Sequence, residues 1–220
     1  MINISISEEI REKCPLLRLG IISAKIFIQS ENKELWDKII LESRMISDKY
    51  SELPKMETIL MARAAYKALG KDPSRYRPSA EALLRRIISG KELYSVNNVV
   101  NLINLISFTS GFSIGGYDAD SINGEITLER GLASDYYEGL GRGQLNIENL
   151  PILRDLTGAF GCPTSDSERT GIRSETKNCL WVFFDFGSNP VLEKYLKESI
   201  ELLQEFADAK NIATQIFRNS

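Results

Sequence analysis

The chain has 220 residues, of which 43% are hydrophobic and 26% are charged, and its formal net charge is −3. This length and composition are typical of one globular domain with a full hydrophobic core. The acidic balance argues against a protein that grips a long nucleic-acid duplex through many phosphates, so any RNA contact must be local.

The first half of the chain is predicted to be mostly helical. Alternating or 3.6-residue apolar spacing predicts strands over residues 2–6 and 17–28, and helices over residues 31–50, 56–69, 79–90 and 95–108. Ser30 and Ser79 are suitable N-caps for two of these helices. Gly70 and Gly90 are typical helix-ending residues.

The second half changes to strands separated by glycine and polar turns. They are predicted over residues 112–117, 125–130, 150–154, 157–160 and 179–186. Asn189 followed by Pro190 is a typical helix start. Apolar residues that continue to Ile212 and Ile216 predict a long amphipathic helix over residues 188–218.

Helices early, strands late and a closing helix indicate an α+β fold with a mixed or antiparallel sheet. We expect one domain over residues 1–220. Its core is predicted over residues 75–187, with a strand-and-helix extension over residues 1–74 and the C-terminal helix after it.

The residues available for chemistry are restricted. The sequence has no histidine, which excludes Ser-His-Asp and Cys-His catalysis and a histidine-ligated metal. Its cysteines, Cys14, Cys162 and Cys179, lack CxxC spacing and predict reduced thiols. We therefore expect no cofactor and no metal, and any proton transfer must use other side chains, the backbone or water.

The start of the sequence lacks the basic and apolar regions of a signal peptide, and no apolar run reaches the length of a membrane span. We expect a cytoplasmic protein that does not contact a membrane.

Three segments of the sequence, taken together, resemble a known family. Residues 76–86 read YRPSAEALLRR, and residues 95–101 read SVNNVVN, followed by GFSIGGYDAD at residues 111–120. Residues 155–170 read DLTGAFGCPTSDSERT, followed by SETKN at residues 174–178. Their order and spacing resemble the B3/B4 module of the bacterial phenylalanyl-tRNA synthetase β subunit, in a free-standing form.

That module hydrolyses tyrosine wrongly attached to the phenylalanine tRNA. The resemblance therefore implies an α+β fold and a trans-acting aminoacyl-tRNA deacylase. It implies a tRNA or an aminoacyl-tRNA 3′ end, and an amino acid, as partners. It leaves the oligomeric state open.

The sequence departs from the family at two editing positions. Gly115 stands where the bacterial module has histidine, and Val182 stands where it has glutamate. Asn98 is kept from the family's Thr-Asn pair, while Asn97 replaces the threonine. Gly161 aligns with the glycine that lets the substrate ring approach the backbone.

The resemblance implies a substrate-binding set of Asn97, Asn98, Gly115, Tyr117 and Gly161. For the asparagines, the alternative is a structural role, because buried asparagines on an apolar helix usually bond to backbone, as Asn101 and Asn104 also could.

The loop after Gly161 concentrates hydroxyl and carboxylate groups that could position a water or an oxyanion. The catalytic candidates there are Thr164, Ser165, Asp166 and Glu168. The alternative for this loop is a polar surface segment of Asx and Ser turns.

A dense basic stretch suggests an RNA contact at Arg75, Arg77, Arg85 and Arg86. The alternative is that these arginines belong to a solvated helix face and bind no RNA. Tyr136 and Tyr137 could stack on a base or an amino acid, or could pack at the rim of the core.

Three functions remain open from the sequence. The first is hydrolysis of misacylated tRNA in trans. The second is a module that kept the pocket for tRNA or an amino acid and lost catalysis. The third is a protein-interaction role through the C-terminal helix.

Overall fold

The computed structural model describes residues 3–50 and 55–218. Within them the helices are α1 Glu8–Lys13, α2 Lys33–Lys49, α3 Glu57–Leu69, α4 Ser79–Ile88, α5 Asn98–Ser110 and α6 Leu192–Ala207. The strands are β1 Ile4–Ile6, β2 Arg18–Lys25, β3 Ser113–Asp118, β4 Ile126–Arg130, β5 Tyr136–Gly139, β6 Gly143–Asn146, β7 Pro151–Arg154, β8 Ala159–Cys162, β9 Ser165–Asp166, β10 Asn178–Asp185 and β11 Lys210–Arg218. Ile2, the first residue of the predicted first strand, lies outside the described residues.

These strands form two main sheets and a hairpin. The first sheet has the order β1-β4-β7-β8-β9, in which β1 runs parallel to β4 and the other pairs are antiparallel. The second sheet is antiparallel, with the order β11-β2-β10-β3. Strands β5 and β6 form the hairpin. The α+β prediction is therefore confirmed.

Alternation along β10 divides the core into two layers. Trp181 and Phe183 point from this strand to one side, where they pack with residues of α2, α4, α5 and α6. Leu180 and Val182 point to the other side, where they meet the first sheet together with α1 and α3. The second sheet is thus covered by helices on one face and by the first sheet on the other.

The C-terminal helix is present but shorter than predicted, and its extension to residue 218 is wrong. Helix α6 ends at Ala207, and Asp208 adopts a left-handed conformation with φ 46°. Strand β11 follows and pairs with β2. A spacing of four residues between Ile212 and Ile216 fits one face of a helix and also one face of a strand, so the pattern could not distinguish them.

The capping residues in the sequence predicted the starts of α2 and α4 to within a few residues of where these helices begin. Asn32, rather than Ser30, caps α2 by accepting a hydrogen bond from Leu35 N. Ser79 is the first residue of α4 rather than its cap, and its N–H donates to Pro163 O at 2.8 Å. Helix α1, the hairpin and β9 are short, and the apolar pattern did not reveal them.

Among the described residues, every helix is too short or too polar to cross a bilayer.

Candidate functional site

A compartment lies between the two main sheets, where β3 faces β8. On β3, Gly115 and Tyr117 are two residues apart and so point to the same face. In the neighbouring strand, Val182 pairs directly with Gly115. Gly161 lies on β8. The fold therefore brings together four positions that the sequence singled out.

The side chain of Tyr117 fills this compartment. The residue is fully buried, and its ring meets the Phe160 ring edge-on at 5.0 Å between centroids. A Cβ built on Gly115 or on Gly161 would overlap the Tyr117 hydroxyl oxygen. Neither glycine has a positive φ, so each is required for space rather than for backbone conformation.

Asp166 closes one side of this compartment. The residue is partly exposed through other atoms, but its carboxylate is buried, and Oδ2 accepts a hydrogen bond from Gly116 N at 3.2 Å. Among the described residues, Asp166 Oδ1 and the Tyr117 hydroxyl are buried without a hydrogen-bond partner. Burial raises the pKa of Asp166 to about 7, although the hydrogen bond from Gly116 N–H favours the charged form. Burial and then the Asp166 charge raise the pKa of Tyr117 well above its usual value.

The rest of the predicted catalytic loop is held in the structure by tyrosines. Thr164 is buried, and its hydroxyl lies 2.9 Å from the Tyr66 hydroxyl. The carbonyl of Ser165 accepts a hydrogen bond from the Tyr137 hydroxyl at 2.6 Å. Cys162 lies beneath them, and burial raises the pKa of its thiol, which disfavours a nucleophilic thiolate. These groups stabilise the loop and face away from solvent.

An open cleft of about 510 Å³ lies on the outer side of the same loop. Its lining comes from the start of β5, the end of β7, the following turn and the residues after β9. It includes Ser134, Asp135, Tyr136, Tyr137, Glu138, Arg154, Thr157, Gly158, Ala159, Ser167, Glu168 and Arg169. Of the four catalytic candidates, Glu168 lines this cleft and is exposed, whereas Thr164 and the Asp166 carboxylate point inward.

The family model of the B3/4 domain matches residues 61–194, which is more than half of the chain. The chain belongs to the B3/4 domain family. The match includes β3, β8 and β10 and therefore the whole compartment described above.

Several solved chains are similar to this B3/4 protein, and one structure among them matches it at low identity. It is the crystal structure of an N-terminal fragment of the phenylalanyl-tRNA synthetase β-subunit from Pyrococcus horikoshii. The identity is 14%, the TM-score is 0.46, and the alignment covers 96% of this chain and 50% of that one. The present chain thus spans about half the length of that chain. No curated protein matches the sequence.

The two asparagines predicted for the B3/4 pocket lie elsewhere. Asn97 caps α5, and its side chain accepts a hydrogen bond from Val100 N at 2.9 Å. Asn98 donates to the carbonyls of Phe27 and Phe206 and accepts from Gln29 N. These bonds use both amide hydrogens and the oxygen of Asn98, and they place it beside the chain after β2 and the end of α6. The compartment of Gly115 and Gly161 does not include it.

The predicted RNA-contacting arginines differ in what they bind. Arg85 pairs with the buried carboxylate of Glu81. Arg86 stacks on the Tyr94 ring, with the guanidinium carbon 4.1 Å from the ring centroid. Arg75 and Arg77 are exposed and form no ion pair within the described part of the chain.

Several cleft residues were not predicted from the sequence. Arg154 reaches the cleft from the end of β7 and binds Glu129 and Asp135. Arg169 binds both carboxylate oxygens of Asp155. No sequence signal pointed to them, because Arg154 on β7 and Arg169 in the short helical turn Glu168–Thr170 are brought together only by the strand order. No group of three or more metal-ligating side chains occurs among residues 3–50 and 55–218.

Proposed function

We propose that this B3/4 protein binds the aminoacylated 3′ end of a tRNA, or the amino acid that it carries, and leaves the ester intact. The observation that carries this proposal is the packing of Tyr117 between Gly115 and Gly161. Val182 lies opposite Gly115, so the positions of the editing histidine and glutamate hold no titratable side chain. Membership in the B3/4 family supports the choice of aminoacyl-tRNA as the partner.

Arg75 and Arg77 support a local contact with the phosphates of an RNA. Both are exposed and precede α4. Because the net charge is −3, a contact with a few phosphates fits this protein better than an extended basic groove.

The test is the binding of a tRNA that carries its amino acid through a non-hydrolysable amide, compared with the same tRNA uncharged. We expect the charged form to bind at least about tenfold more tightly. Changing Arg75 and Arg77 together to alanine should weaken both forms and reduce the salt dependence, whereas Lys38→Ala on the exposed face of α2 should not. Equal affinity for charged and uncharged tRNA would contradict the proposal.

A second candidate is hydrolysis of misacylated tRNA in trans, and it is favoured by the exposed carboxylate of Glu168 in the cleft. A carboxylate in this position could orient a water for attack on an ester. Incubation with a panel of mischarged tRNAs, including tyrosine on the phenylalanine tRNA, measures the release of amino acid. Release that Glu168→Gln abolishes would replace the binding proposal, and no release above background across the panel would exclude hydrolysis.

A further inference from the structure

The cleft beside β5 has the size and the chemistry of a small-molecule site. Its volume of about 510 Å³ lies within the roughly 300–1,000 Å³ of typical ligand pockets. It is separate from the compartment that Tyr117 fills, because neither Tyr117 nor Gly115 nor Gly161 lines it.

Arg154 provides a fixed positive group in this cleft. Its Nε binds Glu129 and its Nη2 binds Asp135, so two carboxylates orient the guanidinium. Its Nη1 has no hydrogen-bond acceptor among residues 3–50 and 55–218. With 29% of its side chain exposed, Arg154 can offer Nη1 to a ligand carboxylate.

Arg169 is a positive group whose two Nη atoms already have protein acceptors. Its two Nη atoms bind Asp155, Ser121 O and Gly158 O. It therefore shapes the wall of the cleft and leaves Arg154 as the donor for a ligand.

Two exposed carboxylates, those of Glu138 and Glu168, line the same cleft. They are suited to an ammonium group and would repel a ligand that carries several negative charges, such as a nucleotide. The cleft thus combines one available cationic donor with acidic side chains.

Tyr136 adds an apolar surface to this arrangement. Its side chain is 63% exposed and lines the cleft, while the neighbouring Tyr137 is buried. The exposed tyrosine ring offers a large apolar face on which the side chain of a ligand can pack, beside the charged groups of the cleft.

We propose that this cleft binds a free zwitterionic α-amino acid. The carboxylate is held by Nη1 of Arg154, the ammonium group by Glu168, and the side chain packs on Tyr136. This inference rests on the proposed function and deepens it, because it names the site and the side chains that hold the amino acid.

The experiment is calorimetric titration of the full chain with L-phenylalanine, L-tyrosine, L-leucine and L-serine. Phenethylamine and 3-phenylpropionate each lack one charge of L-phenylalanine, and AMP serves as the polyanionic probe. We expect L-phenylalanine to bind at least about tenfold more tightly than either single-charge analogue, and AMP not to bind.

Two variants test the assigned residues. Glu168→Gln should weaken L-phenylalanine more than 3-phenylpropionate, because it removes the partner of the ammonium group. Tyr136→Ala should weaken L-phenylalanine more than L-serine. Glu205→Gln, an exposed glutamate on α6, is the matched control and should change nothing.

The outcomes separate this inference from the proposed function. Binding of an amino acid that depends on Glu168 and Tyr136 supports the inference even if charged tRNA does not bind. An absence of amino-acid binding at millimolar concentration, or binding that neither variant changes, overturns it even if charged tRNA binds.

Discussion

At the scale of single residues, Gly115, Gly161 and Tyr117 form one unit. Each glycine leaves the space that the tyrosine hydroxyl occupies. The sequence identified all three positions but suggested an open pocket. The Tyr117 ring lies between the two main sheets, and no local sequence pattern encodes how these sheets face each other.

Gly115→Ala should lower the free energy of unfolding by about 1–3 kcal/mol, because the new methyl group overlaps the Tyr117 hydroxyl. Adding Tyr117→Leu removes both the hydroxyl and the ring carbons that the methyl group overlaps, so in the Tyr117→Leu background Gly115→Ala should cost much less. Urea denaturation of the two single variants and the double variant measures the coupling. Additive effects would mean that Tyr117 does not restrict position 115.

Asp166 should make stability depend on pH in an unusual direction. Its pKa rises from 3.8 to about 7 on folding, so the folded chain binds its proton more tightly than the unfolded chain does. The contribution of Asp166 to the free energy of unfolding is therefore fully present below the pKa of the unfolded chain. It is lost as the pH rises from that pKa to the pKa of the folded chain, by on the order of 1.4 kcal/mol per pH unit.

Asp166→Asn should remove this dependence and should be relatively more stable than the wild type above about pH 7. Urea denaturation of both proteins across this range provides the measurement. Parallel pH profiles for the two proteins would show that the carboxylate titrates normally.

At the scale of elements, Asn98 joins three parts of the chain at the start of α5. The sequence predicted helix α5 and a buried asparagine, and a structural role was one of two interpretations. The partners, Phe27 O, Gln29 N and Phe206 O, could not be predicted because they come from distant segments.

Asn98→Ala should lower the free energy of unfolding by on the order of 3 kcal/mol, because it leaves buried backbone groups unpaired. Asn104→Ala, on the same helix and only partly buried, is the control and should cost less than about 1 kcal/mol. Thermal and urea denaturation compare them. A small effect of Asn98→Ala would favour the ligand-lining role instead.

At the scale of the whole molecule, the second sheet combines strands from the predicted core with strands from the two predicted extensions. Strand β2 lies between β11 and β10, although β2 and β11 both lie outside residues 75–187. The order of strands in a sheet depends on long-range pairing, which is why the resemblance over the middle of the chain did not reveal it.

We therefore expect a fragment of residues 75–187 to lack cooperative unfolding, because it keeps only β10 and β3 of the four-stranded sheet. The full chain should unfold in one transition. Near-ultraviolet circular dichroism and urea denaturation distinguish the two. A sharp transition from the fragment would mean that the middle segment is an independent domain.

The pairing of β11 with β2 also affects when the protein can become folded. The Thr214 hydroxyl binds Ile21 O across a sequence separation of 193 residues. Closing so large a loop is entropically unfavourable and slow. During synthesis, β2 leaves the ribosome early, and both of its edges stay unpaired until β10 emerges; the edge that pairs with β11 stays unpaired longer still. The nascent chain is therefore exposed to misassociation through β2 while the residues between β2 and β10 are being synthesised.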